Sequence, residues 1–381
     1  MSEARPPWLK IGLLSFGGPA AQIALLHEEV VTKRNWVSEE EFLHALDLCM
    51  LLPGPEAQQL ATWMGWRTGG LGGAIAAGGL FVLPGFLVLL TLSSIYALWG
   101  SVGPVAAVFD LLTAAVVGLV AHAMIRIGRK AIRSVLLGFV ALAALALLSA
   151  GVPFPLILLL AAAVGAMGVR NPPRAATEDR LAVAISASRL LLGYLLLAML
   201  PLLPLAALGA PVLLDEARFF TKNAFLTFGG AYAILPYIAH EGVAFGWITP
   251  EAMLAGLGLA ETTPGPLILV VTFLGFQGGW NHPGALPPLA AGLLGGTVAT
   301  YYTFLPSFLL ILLAAPYLER IRASRIAAPA LAGITAAVAG VLVHFSLYLA
   351  ARILIPGGAP DPVAIVAALL TFALVARARG V

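Results

Sequence analysis

The sequence contains very little charge. Only 10% of its 381 residues are Asp, Glu, Lys or Arg, whereas 60% are hydrophobic; a soluble domain carries roughly a quarter charged residues. This composition argues against a soluble enzyme, a DNA-binding protein and a disordered protein. The net charge of +3 is too small to indicate nucleic acid as a partner. The class that remains is a polytopic membrane protein whose surroundings are the lipid bilayer.

Several chemical signatures are also absent. The single cysteine, Cys49, excludes a disulfide within the chain and a cluster of cysteine metal ligands. The chain has no Walker A loop, dinucleotide fingerprint or nucleophile elbow. We therefore predict no enzyme activity, no cofactor and no metal, and an ATP-driven pump is disfavoured. Residues 1–10 lack a signal-peptide pattern, so we expect the first apolar segment to remain as a membrane helix.

Long apolar runs are what the sequence does have. Spanning a bilayer takes about 20 apolar residues in a helix, and the runs do not alternate as barrel strands would. The 41 Gly suit close helix packing in lipid, and the 27 Pro indicate broken or kinked helices. We predict an all-α protein with about ten to twelve membrane segments. These lie near 11–27, 42–66, 71–98, 103–125, 131–150, 153–169, 183–209, 219–240, 252–276, 286–314, 325–350 and 362–376.

The segments contain an internal duplication. Lys10-Ile-Gly-Leu-Leu-Ser-Phe-Gly-Gly18 returns as Lys222-Asn-Ala-Phe-Leu-Thr-Phe-Gly-Gly230, an offset of 222 − 10 = 212. The later matches, in the same order, are Glu29/Glu241, Trp36/Trp247, Pro53-Gly54-Pro55/Pro264-Gly265-Pro266, Gly118/Gly340 and His122/His344. Apolar helices resemble each other by composition alone, but these residue types in one order indicate a true repeat.

The repeat and the charges together predict an inverted topology. We divide the chain into a first membrane repeat (8–150), linking segments with a basic loop (151–212) and a second repeat (213–376). Each repeat has five segments and two lie between them, so the repeats face opposite ways if all segments span. Lys and Arg mark cytoplasmic loops, and in this scheme the basic stretches all fall on one side. We therefore predict a multi-pass protein of the inner (plasma) membrane with both termini cytoplasmic.

Glycines and prolines interrupt the segments that carry the repeated motifs. Those segments are either full spans or re-entrant hairpins, and the sequence leaves both interpretations open. Either way a helix that restarts after a break presents free N–H groups and the positive end of its dipole, which suits an anion. Secondary transporters with inverted repeats place their substrate at such interruptions. The predicted substrate-binding residues are Lys10, Phe16, Gly17, Gly18, Pro19, Gln22, Pro53, Gly54, Pro55, Lys222, Phe228, Gly229, Gly230, Thr262, Thr263, Pro264, Gly265 and Pro266.

Lysines and carboxylates next to the breaks complete the predicted site. Lys10 and Lys222 either reach inward to an oxyanion or extend to the membrane interface, and both interpretations stay open. Four carboxylates are candidates for coupling transport to protons because intramembrane acids often mark proton pathways. These coupling candidates are Glu29, Glu56, Glu241 and Glu261.

At these residues the sequence resembles the chromate ion transporter family over roughly residues 8–376. The shared pattern is Ser15-Phe-Gly-Gly-Pro-Ala-Ala-Gln22, His27-Glu28-Glu29, Trp36, Leu52-Pro-Gly-Pro-Glu-Ala-Gln58, Thr227-Phe-Gly-Gly-Ala-Tyr232 and Thr263-Pro-Gly-Pro-Leu-Ile268. The resemblance implies export of chromate from the cytoplasm, chromate resistance, competition by sulfate, and coupling to the proton gradient or membrane potential.

The second copy departs from the first at polar positions. Ala231, Ile234 and Leu267 stand where the first copy has Pro19, Gln22 and Glu56, which predicts an asymmetric site.

Other functions stay open beside chromate export. A sulfate or molybdate carrier of the same architecture is one alternative, and a membrane-embedded enzyme acting on lipid phosphates is a weaker one. The sequence also leaves open whether the protein is a homo-oligomer.

Overall fold

The computed structural model describes residues 7–16, 18–100, 102–168, 187–228, 230–315 and 326–379. Within these ranges the chain is helical and contains no strand. The α-helices are α1 (Trp8–Leu14), α2 (Gly18–His27), α3 (Glu39–Leu51), α4 (Glu56–Trp99), α5 (Gly103–Ala131), α6 (Val135–Ser149), α7 (Phe154–Gly168), α8 (Ala187–Met199), α9 (Leu202–Ala207), α10 (Val212–Leu226), α11 (Ala231–Ala244), α12 (Pro250–Thr262), α13 (Val270–Asn281), α14 (Pro288–Ala314), α15 (Ala327–Leu354) and α16 (Pro362–Arg379). A π-helical turn covers Glu28–Thr32, and 3-10 turns cover Leu267–Leu269 and Pro356–Gly358.

The helices have the length and surface that a bilayer requires. Five described stretches are long and apolar enough to cross a membrane: Glu56–Trp99, Gly103–Ala131, Ala187–Ala207, Pro288–Ala314 and Ala328–Leu354. Large apolar side chains such as Phe139 and Leu142 point away from the protein, with 65% and 64% exposure. That surface suits contact with acyl chains and not with water. The predicted fold class, an all-α polytopic membrane protein, is confirmed.

The motif segments of the first half fold as helical hairpins. Helix α1 runs to Ser15 and α2 returns, so Lys10 Nζ and Glu29 Oε1 meet at 3.4 Å near the open end. Helix α3 runs to the Pro-Gly-Pro break and the first arm of α4 returns. An Arg67 guanidinium therefore donates to Glu41 Oε1 at 3.2 Å. Each break is the tip of a hairpin.

The second half repeats this arrangement. Helices α10 and α11 form a hairpin in which Lys222 Nζ donates to the Tyr237 hydroxyl at 3.1 Å. Helices α12 and α13 form another hairpin. At the end opposite its tip, Asn281 Nδ2 donates to the Trp247 carbonyl oxygen at 2.9 Å. Of the two interpretations that the sequence left open, hairpins are the one the fold adopts. The hairpins occur at matched positions in both halves. Replacing full spans by hairpins therefore leaves the prediction that the two repeats face opposite ways unaffected.

The turns at the tips follow from their residues. Proline has no N–H and cannot continue the preceding helix. Between the prolines, Gly54 and Gly265 adopt φ values of +127° and +98°, which only glycine occupies at low cost. The sequence Pro-Gly-Pro therefore ends α3 and α12 and lets the chain reverse within a few residues.

Glycine contacts hold the arms of the fold together at small separations. Helix α4 reverses at Gly69 and Gly70, where its backbone is non-helical. Its two arms, residues 56–68 and 71–99, touch where a Cβ on Gly65 would lie 2.2 Å from the Gly73 carbonyl oxygen. Helices α13 and α14 cross in the same way at Gly275 and Gly295. Such close approach is how helices associate in lipid.

Two matched glycines join the halves reciprocally. A Cβ on Gly118 of α5 would lie 2.3 Å from the Ala368 carbonyl oxygen of α16. A Cβ on Gly340 of α15 would lie 2.0 Å from the Ala141 carbonyl oxygen of α6. The sequence had paired these two glycines, and each makes the corresponding close contact to the other half.

Some predictions concern parts of the chain that lie outside the described residues. The linking basic loop and the basic segment after α14 fall largely in 169–186 and 316–325. The three-part division and the inverted orientation stay predictions.

Candidate functional site

Crossed backbone hydrogen bonds join the hairpin tips of the two halves. The Gly54 N–H donates to the Thr227 carbonyl oxygen at 2.8 Å. Its counterpart, the Gly265 N–H, donates to the Ser15 carbonyl oxygen at 2.9 Å and to the Ser15 hydroxyl at 3.1 Å. Each Pro-Gly-Pro tip is thus bonded to the residue before Phe-Gly-Gly in the opposite half. The structure therefore joins the four predicted breaks in two pairs, each made of one break from either half.

Gln22 strengthens one of these crossings. Its side chain is 1% exposed, and Nε2 donates to the Gly265 carbonyl oxygen at 2.7 Å and to the Ser15 carbonyl oxygen at 3.1 Å. Ile234 occupies the matched position in the second half and offers no amide. The halves therefore differ in hydrogen bonding. Only the crossing of Gly265 with Ser15 has this side-chain clamp, the Gln22 amide that bonds both carbonyl oxygens.

The arms that contain Pro84 and Pro306 enclose the tips. A Cβ on Gly85, directly after Pro84, would lie 2.2 Å from the Pro264 carbonyl oxygen. On the other side, Ser307, directly after Pro306, donates to Gln58 Oε1 at 2.7 Å. Each tip is thus held by elements of the opposite half. Gln58 ends the shared Pro-Gly-Pro motif but was not among the predicted site residues, and neither was Ser307. The signal that could have found both is their polarity within apolar runs.

The backbone groups of the helix ends at the tips differ in their hydrogen bonding. The carbonyl groups of Ser15, Thr227 and Pro53 accept hydrogen bonds, the last from Gln59 Nε2 at 2.8 Å. The starts of α4 and α11 have no side-chain cap. The positive ends of the two helix dipoles therefore lie at the junction, where no side chain of the preceding residue caps the N–H groups. A centre of this kind attracts an anion.

Glu56 stands at that centre. It is the first residue of α4, and a Cβ added to Gly230 would lie 2.9 Å from its Oε1 and 3.1 Å from its Oε2. Gly230 precedes α11 with φ +88°. The carboxyl group of the first half is therefore placed at the helix start of the second half.

Polar side chains near the tip of the α12–α13 hairpin take different roles. Glu261 accepts a short hydrogen bond from the Tyr232 hydroxyl on α11. The Thr262 hydroxyl donates to the Gly258 carbonyl oxygen at 2.8 Å, within its own helix. The Thr263 hydroxyl is buried and makes no hydrogen bond within the described structure. Of the two threonines, Thr263 is the one with a donor available to a ligand.

The aromatic and glycine residues of the Phe-Gly-Gly motifs are placed less uniformly. Phe16 is 48% exposed and Phe228 is partly buried. Gly18 and Pro19 begin α2. Gly17 and Gly229 lie outside the described residues, so their predicted roles stay predictions.

The matched lysines lie toward the open ends of their hairpins. Lys10 pairs with Glu29, and its side chain is 60% exposed. Lys222 lies over the Tyr237 ring, with Nζ 5.6 Å from the ring centroid. It lines a cavity of about 660 Å³ that also receives His240, Glu241 and His344. The second copies of three matched polar pairs therefore meet in one cavity, away from the crossed hydrogen bonds.

Glu29 lies at the centre of a cluster of positive charge at the open end of its hairpin. Lys33 Nζ, Lys10 Nζ and Arg34 lie 3.0, 3.4 and 3.6 Å from its carboxylate oxygens, and Glu29 is 2% exposed. Burial alone would raise the pKa of Glu29, but hydrogen bonds from Lys33 and Lys10 outweigh it and hold the pKa below its ordinary value.

This cluster predicts a pH-dependent contribution to stability. Because the folded-state pKa of Glu29 is lowered, the cluster stabilises the fold above the ordinary pKa, and the contribution is lost as the pH falls through the folded-state value. We expect Glu29→Gln to melt at a lower temperature than the wild type at pH about 7, with the difference shrinking below pH about 4. The measurement is thermal unfolding in detergent across that range. Glu40→Gln, which changes an 83% exposed carboxylate, is the matched control. An equal deficit at every pH would contradict the assignment.

Together these contacts define a class of protein. Half-helices from two related halves meet through their interrupted tips, surrounded by long apolar helices. This arrangement is typical of secondary transporters.

Comparison with known proteins identifies the family. The chromate transporter family model matches residues 7–166 and residues 214–380, so it covers both copies of the motifs. The chain belongs to the chromate transporter family.

Named relatives agree with this assignment. A probable chromate transport protein of Synechococcus elongatus is 34% identical over 82% of this chain and 75% of its own length. A chromate transport protein of Pseudomonas aeruginosa is 33% identical over 90% of this chain and 81% of its own. One of Cupriavidus metallidurans is 30% identical over 91% and 81%. No solved structure matched the chain.

Proposed function

We propose that this protein exports chromate, a tetrahedral divalent oxyanion, from the cytoplasm, driven by the membrane potential or the proton gradient. The observation that carries the proposal is the junction of the hairpin tips. There the Gly54 and Gly265 amides are bonded across the halves while uncapped helix starts face the centre. Relatives named as chromate transport proteins support the choice of anion.

The binding step uses backbone groups and few side chains. The oxyanion accepts hydrogen bonds from amides at the starts of α4 and α11 and from the Thr263 hydroxyl, whose donor is otherwise unused in the described structure. No fixed positive charge is required at the junction. The anion can therefore leave again, as transport demands.

Glu56 couples anion binding to protonation in this proposal. When the site is free, the Glu56 carboxylate lies at the start of α11, next to Gly230. An arriving dianion and an ionised carboxylate repel each other there. Chromate therefore binds best when Glu56 has taken up a proton or moved aside.

The proposed transport cycle moves one repeat against the other. Such a motion would break and re-form the crossed hydrogen bonds, which join Gly54 to Thr227 and Gly265 to Ser15. The hairpins of the first repeat open toward one side of the membrane and those of the inverted second repeat toward the other.

Charge sets the proposed orientation in the inner membrane. Arg126, Arg129, Lys130 and Arg133 lie at the end of α5 and just beyond it, on the side that the positive-inside rule assigns to the cytoplasm. In this orientation both termini are cytoplasmic. The cavity lined by Lys222, beside the turn between α6 and α7, then opens on the outer side.

A sulfate or molybdate carrier is the second candidate. The observation that favours it is the same backbone site. Amides and one hydroxyl recognise the charge and tetrahedral shape of an anion, and these are the same whichever atom lies at its centre. Competition in everted vesicles separates the two. Chromate flux that excess sulfate leaves largely intact supports the chromate assignment, and equal transport of both anions supports a general oxyanion carrier.

The test of the function is radiolabelled chromate flux in proteoliposomes. We expect uptake to rise when a pH gradient or a membrane potential is imposed and to be absent in liposomes without protein. Flux that ignores both gradients would indicate a facilitator or channel. No chromate flux under any condition would refute the proposal.

The lysine roles can be tested in the same assay. Lys10 is paired with Glu29 and Lys222 with Tyr237, so neither is committed to the junction in this state. If they draw the anion inward, the Lys10→Met/Lys222→Met double variant lowers chromate flux at least about fivefold, with a steeper loss at low ionic strength. Arg218→Met, which removes a 79% exposed charge from the same helix as Lys222, is the control. Unchanged flux would remove the lysines from the site.

A further inference from the structure

Glu216 on α10 is a carboxylic acid buried without a partner. Its exposure is 0%, and neither carboxyl oxygen has a hydrogen-bond partner within the described structure. The group fits against two glycines. A Cβ on Gly278 would lie 2.4 Å from Oε1, and a Cβ on Gly295 would lie 3.0 Å from Oε2. Helices α13 and α14 therefore leave room for this side chain but offer it no donor.

The charge state of Glu216 follows from these surroundings. An ionised carboxylate costs far more to bury than a neutral acid, unless a cation or donors compensate it. The adjoining Trp247 ring is apolar where it faces Gly278. The buried position therefore favours the protonated acid, and ionisation requires water or a structural change that opens the site.

No charged group of the neighbouring elements compensates Glu216 within the described structure. Helices α9 and α13 contain no titratable residue, and the titratable residues of α14 are two tyrosines whose hydroxyls donate to α8 carbonyl oxygens. On α11, Tyr232 bonds to Glu261 of α12, Tyr237 bonds to Lys222 of α10, and His240 lies beside Glu241. On α10 itself, Asp215 and Arg218 pair with each other at 3.6 Å, both exposed.

A second buried polar side chain, Asn223, lies between Glu216 and the tips, and the buried rings of Phe219 and Phe220 separate it from Glu216. Glu216, Asn223 and Thr227 form an interrupted polar stripe. Asn223 follows Glu216 by seven residues on the same face of α10, is 4% exposed, and has no partner for its side-chain amide. The Thr227 hydroxyl donates to the Asn223 carbonyl oxygen, and the Thr227 carbonyl accepts the Gly54 N–H. From Glu216 to Thr227 is about 16 Å along the helix at the usual rise. The interrupted stripe therefore extends from the outer part of the second-half hairpin toward the proposed anion site.

Thr227 is matched by Ser15, but Glu216 and Asn223 have no polar match in the first half. At the repeat offset of 212, Asn223 is matched by Ile11 (223 − 212), a buried apolar residue. The stripe can thus serve the outer side of the proposed orientation without a counterpart on the cytoplasmic side.

We propose that Glu216 binds the proton that is exchanged for chromate, taking it up from the outer side and releasing it as the second-half hairpins move. This inference rests on the proposed function and names the site of its coupling ion. A proton is favoured over a metal cation because Glu216 belongs to no group of three or more His, Cys, Asp or Glu side chains within the described structure, whereas cations such as Ca²⁺ need several oxygen ligands.

The experiment compares Glu216→Gln with Asp215→Asn in proteoliposomes that contain a pH-sensitive dye. Glutamine has nearly the shape of the protonated acid, so we expect it to fold. We expect chromate-for-chromate exchange, which moves no net proton, to fall by less than about threefold. Net proton movement across the membrane during chromate transport, and the stimulation of flux by a pH gradient, should fall at least about tenfold, because Glu56 alone exchanges a proton only at the anion site. Asp215→Asn changes a neighbouring exposed carboxylate and should behave as the wild type.

A second measurement uses the wild-type protein. Dicyclohexylcarbodiimide reacts with protonated carboxyl groups in apolar sites, so mass spectrometry should find Glu216 modified, more slowly as the pH rises. Wild-type proton movement in Glu216→Gln, or flux driven by sodium in place of protons, would overturn the inference. An unmodified Glu216 in an actively coupled wild-type protein would also overturn it. Absence of chromate flux in the wild type would instead refute the proposed function.

Discussion

Replacing Gly265 by alanine is expected to lower the initial rate of chromate transport in proteoliposomes at least about tenfold. Gly265 has φ +98°, and an added Cβ would lie 2.7 Å from Leu269 Cδ1 and 3.3 Å from Gly85 Cα. The left-handed conformation alone costs a side chain about 1–2 kcal/mol. Relief of this strain must shift the tip, and that disturbs the Gly265 N–H bond to Ser15 and the Gln22 contact to the Gly265 carbonyl.

Gly358→Ala is the matched control for this prediction. Gly358 has φ +88°, and an added Cβ would meet nothing within 4 Å. It carries the same kind of backbone penalty in the turn between α15 and α16, far along the chain from the tips. If both variants fold and lose transport equally, the effect belongs to general stability. If Gly265→Ala transports normally, the tip is not the site.

Replacing Glu56 by glutamine is expected to remove most of the pH dependence of chromate binding. In the wild type, binding should tighten as the pH falls, because a protonated Glu56 no longer repels the dianion at the start of α11. In Glu56→Gln, binding at neutral pH should be tighter by about tenfold, while flux driven by a pH gradient falls by at least that factor.

The measurement is equilibrium binding of radiolabelled chromate to purified protein at several pH values. Comparing the variant with the wild type at each pH cancels the protonation of chromate itself. Glu41→Gln is the control, because Glu41 lies at the open end of the α3–α4 hairpin and bonds Arg67. A wild-type pH slope that persists in Glu56→Gln would exclude Glu56 from coupling.

The positions of the breaks could be predicted because single residues dictate them. Pro53-Gly54-Pro55 cannot continue a helix in any surroundings, and its reappearance at Pro264-Gly265-Pro266 marked the second half. The matched glycines Gly118 and Gly340 were also found this way, and both make reciprocal contacts.

The hairpins and their crossing could not be predicted. A run such as 42–66 has the length of a span whether the chain continues or reverses at its break, so hydropathy does not distinguish the two. The contact of Arg67 with Glu41 decides it. The bond from Gly54 to Thr227 joins residues far apart in sequence, and a single sequence carries no signal for such a pair.

Glu216 was missed for a different reason. It precedes the apolar run predicted over 219–240, next to Asp215 and Arg218, and a charged cluster at a segment end is usually solvated. Its burial against Gly278 and Gly295 depends on how α13 and α14 pack. The two lysines are the opposite case, because they were predicted as site residues and lie away from the tips. Their repetition drew attention to Lys10 and Lys222, and the structure places both toward the open ends of their hairpins.

In the proposed mechanism, the asymmetry of the halves divides the site into two parts. Gln22 clamps one crossing and Ile234 leaves the other without a clamp. Glu56 reaches Gly230, while its match is Leu267. One crossing therefore has an additional side-chain hydrogen bond, and the other combines the proposed anion site with the carboxyl group that we propose competes with the anion.

The most direct test of the central claim is a structure of the protein with chromate, with the chromium located by its anomalous scattering. We expect one chromium site between the four hairpin tips, within hydrogen-bond reach of the amides that follow Gly230 and of the Thr263 hydroxyl. Chromium found in the cavity beside Lys222 and His344, with none at the tips, would contradict it.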